Sequence, residues 1–131
     1  MSKVIDFYQK IRDGKYAKYN FDANDAKKIG DEIGVNWSEV DFGEFMQGIK
    51  EELEHGTTFA PKDSALTNVT SDDMHATAKI ALAHLHEVPD YYTRLEHLEQ
   101  DADAHWEENS VDDWMKSNRE KNADVLAELG L

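Results

Sequence analysis

The sequence predicts an all-α protein, a compact single-domain bundle of about five to six helices. Three observations carry that expectation. Apolar residues recur at helical spacing along most of the chain, and capping residues punctuate those stretches. No alternating strand pattern of useful length is present. A chain of 131 residues suits one domain, and thirteen aromatic residues supply bulk for a core despite the high charge.

The elements follow in order. Ser2 can cap a first helix over 1–14, with Val4, Ile5, Tyr8 and Ile11 on one stripe and Gly14 at its end. A second runs from about Asn24 to Ile33, with Ala26, Ile29 and Ile33 inward and Gly34 as the stop. Asp41 and Glu44 have capping-box spacing and open a third helix that closes at Gly56. Its stripe, Phe42, Phe45, Met46, Ile49 and Leu53, is the clearest amphipathic signal in the chain. Residues Thr57 to Val69 read as a loop. Thr70 and Asp73 repeat the capping-box geometry and start a fourth helix, Ser71 to about Glu87. Pro89 suits the first turn of a fifth, ending near Trp106, and a last helix spans Val111 to Leu129. Tyr91 and Tyr92 are expected as core anchors whose hydroxyls reach polar partners; Trp37, Trp106 and Trp114 are read as core residues too. Trp114 also sits where the last helix can lay its apolar stripe on another chain.

Charge narrows the function. The formal net charge is −14, and it is polarised. Residues 1–28 carry seven Lys/Arg against four acids, so the remaining residues hold −17. Between Glu96 and Asp113 stand eight acids and no Lys or Arg: Glu96, Glu99, Asp101, Asp103, Glu107, Glu108, Asp112 and Asp113. Such a surface opposes direct binding to nucleic acid or to anionic membrane. No apolar run is long enough to span a bilayer. The opening Met-Ser-Lys-Val-Ile-Asp lacks a signal peptide's apolar stretch, so secretion by that route is not expected. With no cysteine, disulfides, thiolate metal sites and cysteine nucleophiles are excluded. The acidic window, together with Trp114, is the candidate interaction surface. It is a solvated helix face, a dock for a basic protein, or a mimic of the phosphate backbone.

Six histidines raise the question of a metal. Glu52-x-x-His55 and His84-x-x-Glu87 are i, i+3 pairs, each on one flank of the apolar stripe of a helix. If those helices are neighbours, Glu52, His55, His84 and Glu87 converge as candidate ligands for a divalent metal such as zinc, manganese or iron. The same four side chains also suit a structural polar network. His75 and His86 fall on the polar side of the fourth helix, His97 and His105 sit among acids, and all four are expected at the surface. No glycine-rich phosphate loop, nucleophile elbow or H-E-x-x-H is present, so no catalytic residue is assigned and an enzyme is not expected.

Three ordered segments carry a resemblance. They are Glu52-Leu53-Glu54-His55-Gly56, Thr67-Asn68-Val69-Thr70-Ser71-Asp72-Asp73, and Lys79 to Leu95 with its Pro89-Asp90-Tyr91-Tyr92 core. Through them the chain resembles the domain of unknown function family 5661, met largely in tailed bacteriophages and in bacterial genomes. The resemblance covers about residues 25–100 and implies a small helical domain of phage or prophage origin. It picks out Glu52, Glu54, His55, Asp72, Asp73, Lys79, His84, Glu87, Asp90, Tyr91 and Tyr92, but brings no activity with it. The basic segment 1–14 and the acidic, amphipathic segment 96–131 fall outside it as appendages. The functional expectation is a non-enzymatic, virion-associated head, decoration or accessory protein acting through protein–protein contacts, homo-oligomers among them. Its partners would be phage structural proteins. The alternatives are an acidic inhibitor of a basic host or defence protein, and a His/Glu metal-binding helical protein. The expected location is the virion or the host bacterial cytoplasm.

Overall fold

A computed structural model describes residues 21–56 and 64–131. Every regular element in them is helical: α1 (Ala23–Ile33), α2 (Phe42–Glu52) with a 3-10 turn (Leu53–His55), α3 (Ser64–Thr67), α4 (Met74–Glu87), α5 (Tyr91–Glu108), α6 (Val111–Lys121) and α7 (Ala123–Glu128). The expected first helix over 1–14 lies outside the described residues. The chain divides into two units, Met1–Glu96 and His97–Leu131, the division falling inside α5.

In the first unit, local chemistry sets the helix ends. Asp22 caps α1 by accepting from the Asp25 N–H at 2.9 Å, while the Asp25 carboxylate accepts from the Asp22 N–H at 3.0 Å. Gly34 ends α1 at φ 86°, a left-handed conformation that glycine adopts without strain. Asp41 caps α2 through the Glu44 N–H at 2.9 Å. The structure corrects the start of α4. Asp73, not Thr70, is the cap, accepting from the Ala76 N–H at 2.8 Å, because Ser71 and Asp72 turn the chain with positive φ (51° and 64°). Two further boundaries differ from the sequence reading. The expected 57–69 loop holds the short α3, and Asn122 divides the expected last helix into α6 and α7.

The core follows the predicted stripes. Ala26 and Ile29 from α1, Phe45 and Ile49 from α2, Ala78, Ala81 and Leu85 from α4, and Tyr92 from α5 are buried together. α4 packs most extensively on α2 and also against α1. Small residues permit this closeness. The Ala78 and Ala81 positions bring α4 near its neighbours, and Gly48 on α2 lies directly under the Tyr92 ring. Trp37 closes the other end of the core over Gly30. Its ring meets Phe45 edge-on at 5.3 Å, and its indole N–H donates to Asp31 at 2.8 Å. The hydrogen bonds from Lys27 first, then Trp37, hold the Asp31 carboxyl below its usual value.

Gly48→Ala tests this packing. Its new methyl group would overlap the Tyr92 ring, and overpacking of this kind costs about 1–3 kcal/mol. Urea unfolding is expected to show a lower midpoint at unchanged m-value.

Candidate functional site

The site is built around one carboxylate. Glu52 ends α2, and its side chain is only 4% exposed. A buried carboxylate is strongly unfavourable unless hydrogen-bonded or paired, so its partners define the site. Glu52 Oε1 accepts from the Tyr92 hydroxyl at 2.6 Å and lies 2.9 Å from His84 Nδ1. Glu52 Oε2 lies 3.1 Å from His55 Nε2. The Tyr92 hydroxyl also sits 3.0 Å from His84 Nδ1, closing a triangle of carboxylate, phenol and imidazole.

The elements explain these positions. His55 follows Glu52 by three residues because the chain tightens into the 3-10 turn there. The His55 carbonyl accepts from the N–H groups of Val69 and Thr70 at 2.7 and 3.2 Å, tying that turn to the start of the α4 connection. Gly56 has no room for a side chain, since a Cβ would run into the Asp72 carboxylate and backbone. His84, one turn from the end of α4, stacks flat on Tyr91 with ring centroids 4.2 Å apart. Tyr92 is held at its other end as well: the Glu44 carboxylate accepts from its backbone N–H at 2.9 Å and from the Thr93 hydroxyl. One helix, α2, therefore grips the first turn of α5 through Glu44 and through Glu52, two turns further along.

The electrostatics agree with a closed network. Burial first, then the hydrogen bond to Glu52, pushes the Tyr92 hydroxyl far above its usual range, so it remains a donor. Burial also raises the Glu54 carboxyl; neighbouring His55 opposes the shift and Glu52 reinforces it. The two imidazoles are partly exposed, 31% for His84 and 44% for His55, and form the side of the cluster open to water.

Three of the four candidate ligands come together: Glu52, His55 and His84. Glu87 does not join them. It is exposed in the last turn of α4, three residues beyond His84, and Tyr92 takes the place expected for it. Among the described residues, no group of three or more His, Asp or Glu side chains is arranged to hold a metal ion. Tyr92 meets the expectation of a buried aromatic with a paired hydroxyl, while Tyr91 is half-buried. His75, His86, His97 and His105 are exposed, and His75 pairs with Glu32. What sequence reasoning missed is Glu44, read only as half of a capping box. The available signal was its eight-residue separation from Glu52 on the same helix.

All members of the cluster fall within one family match. The model of the family described as Protein of unknown function (DUF5661) matches residues 26–101. The chain belongs to this family. Its three sequence segments now have places: the first is the α2 end and 3-10 turn, the second the connection into α4, and the third α4 with the first turn of α5. No curated protein and no solved structure matches the chain.

The second candidate surface belongs to the other unit, apart from Glu96, which is exposed at the end of the first. Asp101, Glu107 and Glu108 are exposed on α5, whereas Glu99 and Asp103 are partly buried. Asp112 and Asp113 occupy the first turn of α6, with the Asp113 N–H donating to Ser110 at 3.2 Å. Trp106 and Trp114 depart from the core reading: they are 38% and 49% exposed and meet edge-to-face at 5.9 Å.

Two outcomes are expected. Tyr92→Phe removes a hydrogen bond to a buried carboxylate and should cost about 1–3 kcal/mol by urea unfolding, with the helical circular dichroism retained. For Glu54, the unfolded chain ionises first, at the usual 4.5, so stability falls as pH rises from there through the raised folded value. Glu54→Gln should therefore raise the urea midpoint at pH 7 and leave it unchanged below pH ~4.

Proposed function

We propose that the chain is a non-enzymatic bacteriophage protein, an accessory component of the virion that acts through protein–protein contacts. One observation carries this reading. Residues 97–131 form helices in which no residue is buried, yet they expose Leu98, Trp106, Val111, Trp114, Met115, Val125 and Leu129. Helices as short as α6 and α7 are marginal alone and gain stability when an apolar face is covered. The family-like core supplies a folded base, and this unit supplies the contact surface. The phage setting rests on the family resemblance, and the location that goes with it is the particle and, before assembly, the bacterial cytoplasm.

The acidic window favours a second reading, an inhibitor that docks on a basic host or defence protein. Lys116, Arg119 and Lys121 interrupt the acidity just beyond that window, so the charge suits a mixed protein contact better than imitation of a phosphate backbone.

Mass spectrometry of purified particles from the encoding phage is expected to detect the protein at constant copy number. Its absence from the particles, with capture of a nucleic-acid-binding host protein that DNA competes away, would replace this reading with the second.

A further inference from the structure

We propose that Trp106, Trp114 and Asp103 seat an arginine side chain from a basic segment of a partner protein. The proposal rests on the protein-contact reading above and names the chemistry of the partner. On α5, Glu99, Asp103 and Trp106 follow at steps of four and three residues, so they share one helix face. Trp114, from α6, meets Trp106 at an interplanar angle of 83°, with ring centroids 5.9 Å apart. Two indoles set nearly at right angles form a corner, and both reach water. Asp103 stands one turn before Trp106. Its Oδ2 is shut off from solvent and has no hydrogen-bond partner among the described residues. A shielded carboxylate oxygen without a donor is costly, and a cation brought by a partner relieves it.

Charge selects the occupant. A cation over an indole face is attracted by the ring's π density, more strongly where water is partly excluded. The neighbouring chain supplies none: no Lys or Arg stands between Leu95 and Met115. Lys116 follows Trp114 by two residues, which places it on the far side of α6. Where this protein does set its own cation on an indole, Lys27 lies over Trp37 in the first unit. Glu107, Glu108, Asp112 and Asp113 adjoin the two tryptophans in sequence and are exposed, giving the surface a negative rim. Such a rim speeds encounter with a basic segment and repels an acidic one. Arginine fits better than lysine, because its planar guanidinium stacks on a ring while its N–H groups donate to a carboxylate. A purely apolar partner would leave the Asp103 oxygen without a donor.

Titration of the full chain with a hexa-arginine peptide, followed through the indole N–H signals by NMR, tests the site. The Trp106 and Trp114 signals are expected to shift together while the Trp37 signal stays in place. Trp106→Leu keeps every charge and should weaken binding about tenfold. Asp103→Asn should weaken it by about the same factor. A hexa-lysine peptide of equal charge should bind more weakly than hexa-arginine. Circular dichroism checks that each variant stays helical, and Trp114→Leu serves in place of Trp106→Leu if that chain unfolds. Unshifted Trp106 and Trp114 signals overturn the site. So does a folded tryptophan variant that binds as the parent does, because charge alone then accounts for the contact. Lysine binding as tightly as arginine overturns the choice of side chain. A protein present in particles whose indoles ignore the peptide fails only the arginine site, and one that binds yet is missing from particles fails only the virion assignment.

Discussion

A carboxylate taken out of water must be compensated, and Glu52 is compensated by three different segments at once. The Tyr92 hydroxyl comes from α5, His84 from α4, and His55 from the turn that follows α2. Each can reach Glu52 only if its own element lies where the structure has it. The buried charge thus acts as a positional constraint: misplacing α4 or α5 would strand it without partners. Apolar packing brings the helices together, but it tolerates sliding far better than a hydrogen bond does.

Tyr92 makes that constraint effective because it is anchored at both ends by α2. Its N–H goes to Glu44 and its hydroxyl to Glu52, with its ring lying on Gly48 between them. The Pro89-Asp90-Tyr91-Tyr92 segment accordingly starts a helix and locks it to the core in the same stroke. The chemistry left over is modest. The imidazoles face water on one side, the phenol stays protonated, and the carboxylate is fully engaged. Such a network holds a fold in register.

The two units obey opposite rules. The first buries the apolar stripe of each main helix and pairs the buried Glu52 carboxylate. The second buries no residue fully, keeps Trp106 and Trp114 at the surface, and sorts acids to the start of α6 and bases to its end. That sorting suits the helix dipole locally.

Much of this was legible in the residues alone. The 3.6-residue stripe Phe42-Phe45-Ile49-Leu53, the Asp41 cap and the Gly34 stop are local, and local physics decides helices. The i, i+3 pairs singled out Glu52, His55 and His84, which the structure brings together, because a shared helix flank is a matter of spacing. Membership of the cluster was another matter. Glu87 has the same flank and the same chemistry, yet it stays exposed, and Tyr92 arrives from a different helix. Likewise Thr70 and Asp73 are both acceptable caps by type; the positive φ at Ser71 and Asp72 decided between them. Trp106 and Trp114 are aromatic enough for any core, but nothing in their neighbours' spacing says whether another helix covers them. The sequence by itself determined where the main helices of the described core fall, which face of each is apolar and where charge accumulates, since these depend on neighbours a few residues apart. Only the tertiary structure decided which side chains meet a buried carboxylate and which aromatics stay in water, since those outcomes depend on distances across the bundle that no local pattern encodes.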